Sequence, residues 1–232
     1  MKARSPKVSL PYAVSPLPHD DADAAALLAH ARRHLTRADP RLAGVMRAIG
    51  PCGMRRRPGG FPTLFRAILR QQLSGKAAAT IEGRITALCI GGVCPEAVAA
   101  LDDAGFASAG VSRQKRNYLR GLAQAALAEP AFFAALEALP DAEAVAALTA
   151  IKGIGRWTAE MYLMFSLGRL DVLPLGDVSI RAALAELYDL PRTGAAGEAL
   201  AQTEPWRPYR SVACWYLYAH LDRARARPVT GS

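Results

Sequence analysis

The stretch "LTAIKGIGRWTAEMYLMF" (residues 148–165) carries helix-like apolar spacing into two glycines, Gly153 and Gly155, and runs straight out into a second helix-like stretch. A helix ending at Ile151 needs a residue that can take positive φ to turn its end, and Gly153 supplies one. Gly155 then lets the backbone enter the next helix almost at once, with Trp157, Met161, Met164 and Phe165 at i, i+4, i+7 and i+8 on one face. The expectation is two helices joined by the four-residue hairpin "KGIG" (152–155). Small side chains would leave its amides bare beside the positive end of the second helix, a ready place for a phosphate oxygen. A plain tight turn between two core helices explains the same spacing.

The rest of the chain repeats this helical character. "FPTLFRAILRQQL" (61–73) puts Leu64, Phe65, Ile68 and Leu69 on one face before Ser74-Gly75 breaks it, and "KAAATIEGRITAL" (76–88) is helical again. "DDADAAALLAHARRHLTRAD" (20–39) has Asp early and Arg late and is ended by Asp39-Pro40. "PCGMRRRPGG" (51–60) reads as a loop. Further helical runs follow at 95–101, 113–128, 130–136 and 140–151, with Pro or Gly between most of them. Strand-like alternation is scarce, so the fold class is all-α. The Pro-bearing residues 1–18 read as an extended or disordered tail.

A chain of 232 residues with 51% hydrophobic composition can bury one larger core or two small lobes. Lys+Arg 29 against Asp+Glu 20 leaves +9, which points to a polyanion: nucleic acid or an acidic membrane surface. The Ala-rich helices lack the bulky apolar face that a membrane-surface helix needs, so no membrane partner is expected. The excess is clustered arginine: Arg55, Arg56 and Arg57; Arg113, Lys115 and Arg116; Arg207 and Arg210; Arg223, Arg225 and Arg227. No apolar run has signal-peptide or membrane-span length, and the expected location is cytoplasmic, with the bacterial nucleoid as the place of action. Cys52, Cys89, Cys94 and Cys214 form no CxxC pair and read as buried or incidental thiols. His30 and His34 could share a helix face, but no third ligand accompanies them, so they read as a solvated pair.

Beyond spacing, "LTAIKGIGRWTAEMYL" followed by "DVLPLGDVSIRAAL" (171–184) resembles the helix-hairpin-helix and Gly/Pro-Asp signature of the DNA glycosylase superfamily. Within it the chain is most similar to the 3-methyladenine DNA glycosylase II branch. "FRAILRQQLSGKAAATIEGRI", "AGVSRQKRNYLRGLA" and "WRPYRSVACWYLYAHL" stand in that family's order, and the resemblance covers about residues 58 to 222. It implies a two-lobed fold with the active site in the cleft between lobes. Residues 19–65 would form the N-terminal helical part of lobe 1, 66–174 the hairpin lobe, and 175–232 the helices that complete lobe 1. The chain departs from the bacterial enzyme in having too few residues before 60 to hold its additional sheet domain.

The resemblance also assigns chemistry. Strand-cutting members carry a lysine two residues after the second hairpin glycine, whose amine forms a Schiff base; Trp157 stands there instead, so no lyase activity is expected. Only Cys214 lies where the endonuclease III branch holds four cysteines, so no iron–sulfur cluster and no other cofactor is expected. The family's catalytic aspartate falls on Asp177, which by itself reads as an N-cap for a helix from about Val178. A fixed carboxylate beside C1′ stabilises the oxocarbenium-like sugar and orients water, and an alkylated purine, already cationic in the strand, takes the bond's electron pair and leaves neutral, needing no proton.

The flipped base would be received by Trp157, Tyr162, Phe165, Trp215 and Tyr218, each of which core packing would equally explain. Met161 and Ala219 stand where the bacterial enzyme has tyrosines. Gln72, or Leu73 beside it, would plug the hole left in the duplex. Arg70, Lys76, Lys152 and Arg210, with the amides of Gly153 and Gly155, would contact phosphates. The resemblance further implies a Na+ or K+ ion on the backbone carbonyls of Thr149, Ile151 and Ile154. The reading is a monomeric, monofunctional glycosylase that excises alkylated purines such as 3-methyladenine and 7-methylguanine from double-stranded DNA. The alternatives are a non-catalytic DNA-binding protein and a glycosylase for deaminated purine or 1-methyladenine.

Overall fold

Asp39 shows how the two ends of the chain are brought together. Its carboxylate caps the helix that begins at Pro40 by accepting the Leu42 N–H at 3.0 Å, and the same group accepts the Trp206 indole N–H at 2.7 Å and the Tyr188 hydroxyl. Asp39 is buried, so these three donors replace the water it gives up.

The computed structural model describes residues 15–191 and 196–226, and among them it has helices and no strand. Most of the 1–18 stretch and Arg227 lie outside the described residues. Leu17, inside them, is fully buried, and its N–H donates to the Gly168 carbonyl at 2.8 Å. The helices are α1 (Asp21–Ala38), α2 (Pro40–Ile49), α3 (Phe61–Arg70), α4 (Gly75–Leu88), α5 (Pro95–Ala100), α6 (Asp103–Ser108), α7 (Arg113–Ala128), α8 (Phe132–Ala138), α9 (Asp141–Thr149), α10 (Arg156–Phe165), α11 (Val178–Tyr188), α12 (Ala196–Thr203) and α13 (Arg210–Ala226). A 3₁₀ turn (Glu204–Trp206) precedes α13.

Two packing groups emerge. α1 lies against α2, α13 and the 3₁₀ turn, while α11 lies against α13, α12 and α2. In the middle of the chain α3 packs on α7 and α4, α5 on α7, and α9 on α10. Leu64, Phe65, Ile68 and Leu69 are all buried, as their spacing predicts.

Three local readings change. α2 is absent from the helices expected above, although Leu42, Val45, Met46 and Ile49 recur at helical spacing; Asp39-Pro40, read only as the end of α1, is also the N-cap and first residue of α2. α9 ends at Thr149, not Ile151: the Ile151 N–H bonds the Leu148 carbonyl and tightens the last turn, so six residues, 150–155, join the helices. His30 and His34 are not simply solvated, since both rings stand edge-on to Tyr209 at 5.9 and 5.4 Å.

Replacing Asp39 by Ala removes a helix cap and strands the buried Trp206 indole N–H and the half-buried Tyr188 hydroxyl. Asp39→Ala is expected to lower unfolding free energy by about 3 kcal/mol in urea denaturation; a loss under about 1 kcal/mol would mean water replaces the carboxylate.

Candidate active site

Asp177 opens α11 as its N-cap, and its Oδ1 accepts the Ser179 and Ile180 N–H groups at 2.6 and 3.1 Å. The other oxygen, Oδ2, accepts the Trp157 indole N–H from α10 at 2.6 Å and the Tyr218 hydroxyl from α13 at 3.0 Å. Four donors from three helices therefore fix a carboxylate that is 8% exposed. Burial first, and the Asp177 charge second, push the Tyr218 phenol far above its ordinary value, so it stays a donor.

The loop before Asp177 is clamped as well. Asp171 accepts from Arg207 at 2.6 Å and from Arg210 Nε at 2.7 Å, and the Val172 N–H bonds Ser211 Oγ at 2.9 Å. Arg210, expected to meet phosphate, is thus corrected: its side chain is buried and its guanidinium is spent on Asp171. Asp171 holds the loop's geometry rather than competing with Asp177.

Trp157 is half exposed, and its ring lines a cavity of about 810 Å³ between α3 and α10. Met161, Tyr162, Phe165, Arg57 and Gln72 also line it. Trp157 alone of the lining residues also bonds Asp177, so its indole stands between cavity and carboxylate. Tyr162 is buried and its hydroxyl accepts the Gly60 N–H at 2.7 Å, so only part of this side chain is available to a ligand. The Arg57 guanidinium sits 5.0 Å from the Phe165 ring centroid. Trp215 departs from the expected set: its contacts run to Gly53, where a Cβ would lie 3.2 Å from the indole, and edge-on to Tyr216.

At the hairpin the two glycines have different reasons. Gly153 has φ +99°, and a Cβ there would lie 2.5 Å from the Tyr118 ring. Gly155 has an ordinary extended backbone, φ −85°, and nothing of the protein lies within 4 Å of where its Cβ would be. Its side of the hairpin is exposed, as are Lys152 and Arg156. The α10 N-terminus has no side-chain cap, which leaves its first amides unpaired by any cap. Thr149 closes α9, Ile151 O accepts the Ile154 N–H at 3.0 Å, and these neutral carbonyls at a helix end have lone pairs left for a monovalent cation.

Gln72 and Lys76 are exposed, and Leu73 is half-buried. Gln72 takes φ +56°, an uncommon conformation for a non-glycine residue. Arg70 is only partly free for phosphate, because it and Arg66 share Glu82, at 2.7 and 3.0 Å. Four contributors were missed from sequence: Arg57, hidden in a loop read only as charge; Gln71 and Lys115, which hold the loop around Gln72; and Glu160. The last is buried, paired on one oxygen with Arg156 at 2.8 Å, and raised in pKa chiefly by burial. Its side of α10 offered no sequence signal beyond an acid among apolar residues.

Comparison with known proteins gives a consistent result. Residues 65–208 match the family described as HhH-GPD superfamily base excision DNA repair protein. DNA-3-methyladenine glycosylase 1 of Schizosaccharomyces pombe is 34% identical over 198 residues, which is 82% of this chain and 86% of that protein. The crystal structure of a DNA-3-methyladenine glycosidase from Bacillus halodurans superposes with a TM-score of 0.76 at 36% identity, covering 84% of this chain and 91% of that one. A S. pombe 3-methyladenine DNA glycosylase in complex with abasic DNA gives 0.69 at 33% identity, covering 82% and 95%.

The glycines make a paired test. Gly153→Ala combines a positive φ with a clash and is expected to cost about 3 kcal/mol or more of stability, whereas Gly155→Ala, which only replaces the N-cap glycine of α10 by a poorer cap, should cost under about 1 kcal/mol. Equal losses in thermal unfolding would contradict this assignment.

Proposed function

The chain belongs to the HhH-GPD superfamily of base excision DNA repair proteins, and on that premise we propose that it is a monofunctional alkylbase DNA N-glycosylase, excising from duplex DNA purines that alkylation makes cationic in the strand, such as 3-methyladenine and 7-methylguanine. The observation that carries the reading is the Asp177 carboxylate, held by four donors behind the indole that walls an aromatic cavity. A pure binder has no use for such a group beside a polyanion.

The two packing groups are read as two lobes, with DNA lying across the mouth of the cleft between them. The Gly153 and Gly155 amides and Lys152 hold a phosphate while the damaged nucleotide leaves the stack. The three hairpin carbonyls of Thr149, Ile151 and Ile154 would hold a Na+ or K+ ion, which would supply positive charge beside that phosphate. The base enters the cavity against the Trp157 face, where a cationic purine gains about 0.5–2 kcal/mol from the ring. This places its sugar towards Asp177.

As the N-glycosidic bond breaks, positive charge grows on the deoxyribose. Asp177 meets it without reorganising, because its caps and its two side-chain donors already fix it. Water completes the hydrolysis and leaves an abasic site. Trp157 has no amine to attack the sugar, so the strand stays intact. The protein acts as a monomer on DNA.

Base release from methylated duplex DNA, followed on a gel with and without alkali, tests the reading. Wild-type protein is expected to release 3-methyladenine or 7-methylguanine, with strand breaks only after alkali. Asp177→Asn is expected to bind but lose at least about 100-fold in release. If wild type binds yet releases no base from a panel of lesions, the catalytic assignment is wrong and the hairpin serves binding alone. Trp157→Phe, which keeps a ring but drops the donor to Asp177, should slow release by about tenfold in single-turnover assays. An unchanged rate would leave the indole N–H without a role in holding the carboxylate.

A further inference from the structure

The connector between α3 and α4 is three residues long, Gln71, Gln72 and Leu73, before Ser74 caps α4. It is tied at two points to parts of the molecule distant in sequence. Lys115 Nζ donates to the carbonyls of Leu69 and Gln71, both at 2.6 Å. These lie at the C-terminal end of α3, where carbonyls lack helical donors and the dipole favours a cation. Gln71 Nε2 donates to the Gly153 carbonyl at 2.9 Å, so the connector is bonded to the hairpin turn itself.

The first two turns of α7 touch both. Lys115 holds the connector, and Tyr118, three residues on, lies against Gly153 so closely that a Cβ there would meet its ring at 2.5 Å. Gln114 bonds the Tyr118 hydroxyl at 2.7 Å and steadies it. Between these ties Gln72 is exposed at φ +56°. A non-glycine residue persists in that uncommon conformation where its surroundings over-determine it. Lys115 belongs to a basic cluster that sequence alone assigns to a polyanion, yet its ammonium faces inward onto two carbonyls.

We propose that Gln71 and Lys115 are positioning residues that couple the phosphate-holding hairpin to Gln72, so that seating the hairpin on the backbone aims Gln72 into the hole left by the flipped base. The inference rests on the function proposed above. In this arrangement the outward amides of the hairpin take the phosphate while the inward Gly153 carbonyl carries the coupling through Gln71.

The test uses the full chain and a duplex with a tetrahydrofuran abasic analogue next to 2-aminopurine, whose fluorescence reports local unstacking independently of base release. Wild-type protein is expected to change the fluorescence. Gln71→Met and Lys115→Met should retain affinity for undamaged duplex within about twofold, lose most of the fluorescence amplitude, and slow single-turnover base release by about 10- to 100-fold. Lys115→Arg, which keeps donors for both carbonyls, should recover most of the amplitude. A merely structural role would instead lower duplex affinity and signal together.

The proposal falls if Gln71→Met keeps wild-type amplitude and release rate, and this variant decides if Lys115→Met fails to fold. If wild type itself neither changes the fluorescence nor releases any base, the functional reading fails and takes the coupling with it. If wild type does both and the variants match it, the coupling alone is wrong.

Discussion

The rest of the site depends on one constraint: a buried carboxylate must keep its partners. Asp177 has given up water, and each of its oxygens accepts two donors, one oxygen from its own helix start and the other from Trp157 and Tyr218. Because those partners sit on α10, α11 and α13, the carboxylate fixes how three helices meet. The Asp171 clamp on Arg207 and Arg210 extends the same logic one loop back, holding the chain that delivers Asp177 to its place. One set of hydrogen bonds thus both caps α11 and fixes where the carboxylate stands.

Local rules made much of this legible. Apolar spacing located the hairpin helices and the buried face of α3, the Asp39-Pro40 break placed the end of α1, and Asp177 declared itself as an N-cap. The positive φ at Gly153 followed from the need to end a helix. What was not legible is where long side chains spend their charge. Arg210 reads the same in a string of basic residues whether it meets phosphate or Asp171, and only the fold decides. Trp215 likewise has the right chemistry for a base, and its packing on Gly53 and Tyr216 could not be read from its type. Lys115 and Gln71 act on backbone carbonyls, which leave no trace in a side-chain pattern.

Basic residues therefore spend their charge in different ways. Arg56, Arg116, Arg120, Arg169, Arg207 and Arg210 are paired and partly or largely sheltered, and they staple loops to helices. Lys152 and Lys76 stand in solvent around the hairpin and connector. The formal charge of +9 is the balance of all of them, so the field presented to a polyanion is set by those that remain outward and unpaired.

The tie between Asp39 and Trp206 spans 167 residues, and Leu17 bonds Gly168 across a similar distance. Synthesis runs from the N-terminus, so α1 and α2 leave the ribosome long before the helix that completes their core. The middle of the chain, where α3, α4, α7, α9 and α10 find their neighbours close in sequence, can fold while the first two helices wait. α2 covers part of the apolar face of α1, but the 3₁₀ turn and α13 complete that packing only after the middle of the chain has been made, and the carboxylate's last donor, Tyr218, arrives on the same final helix.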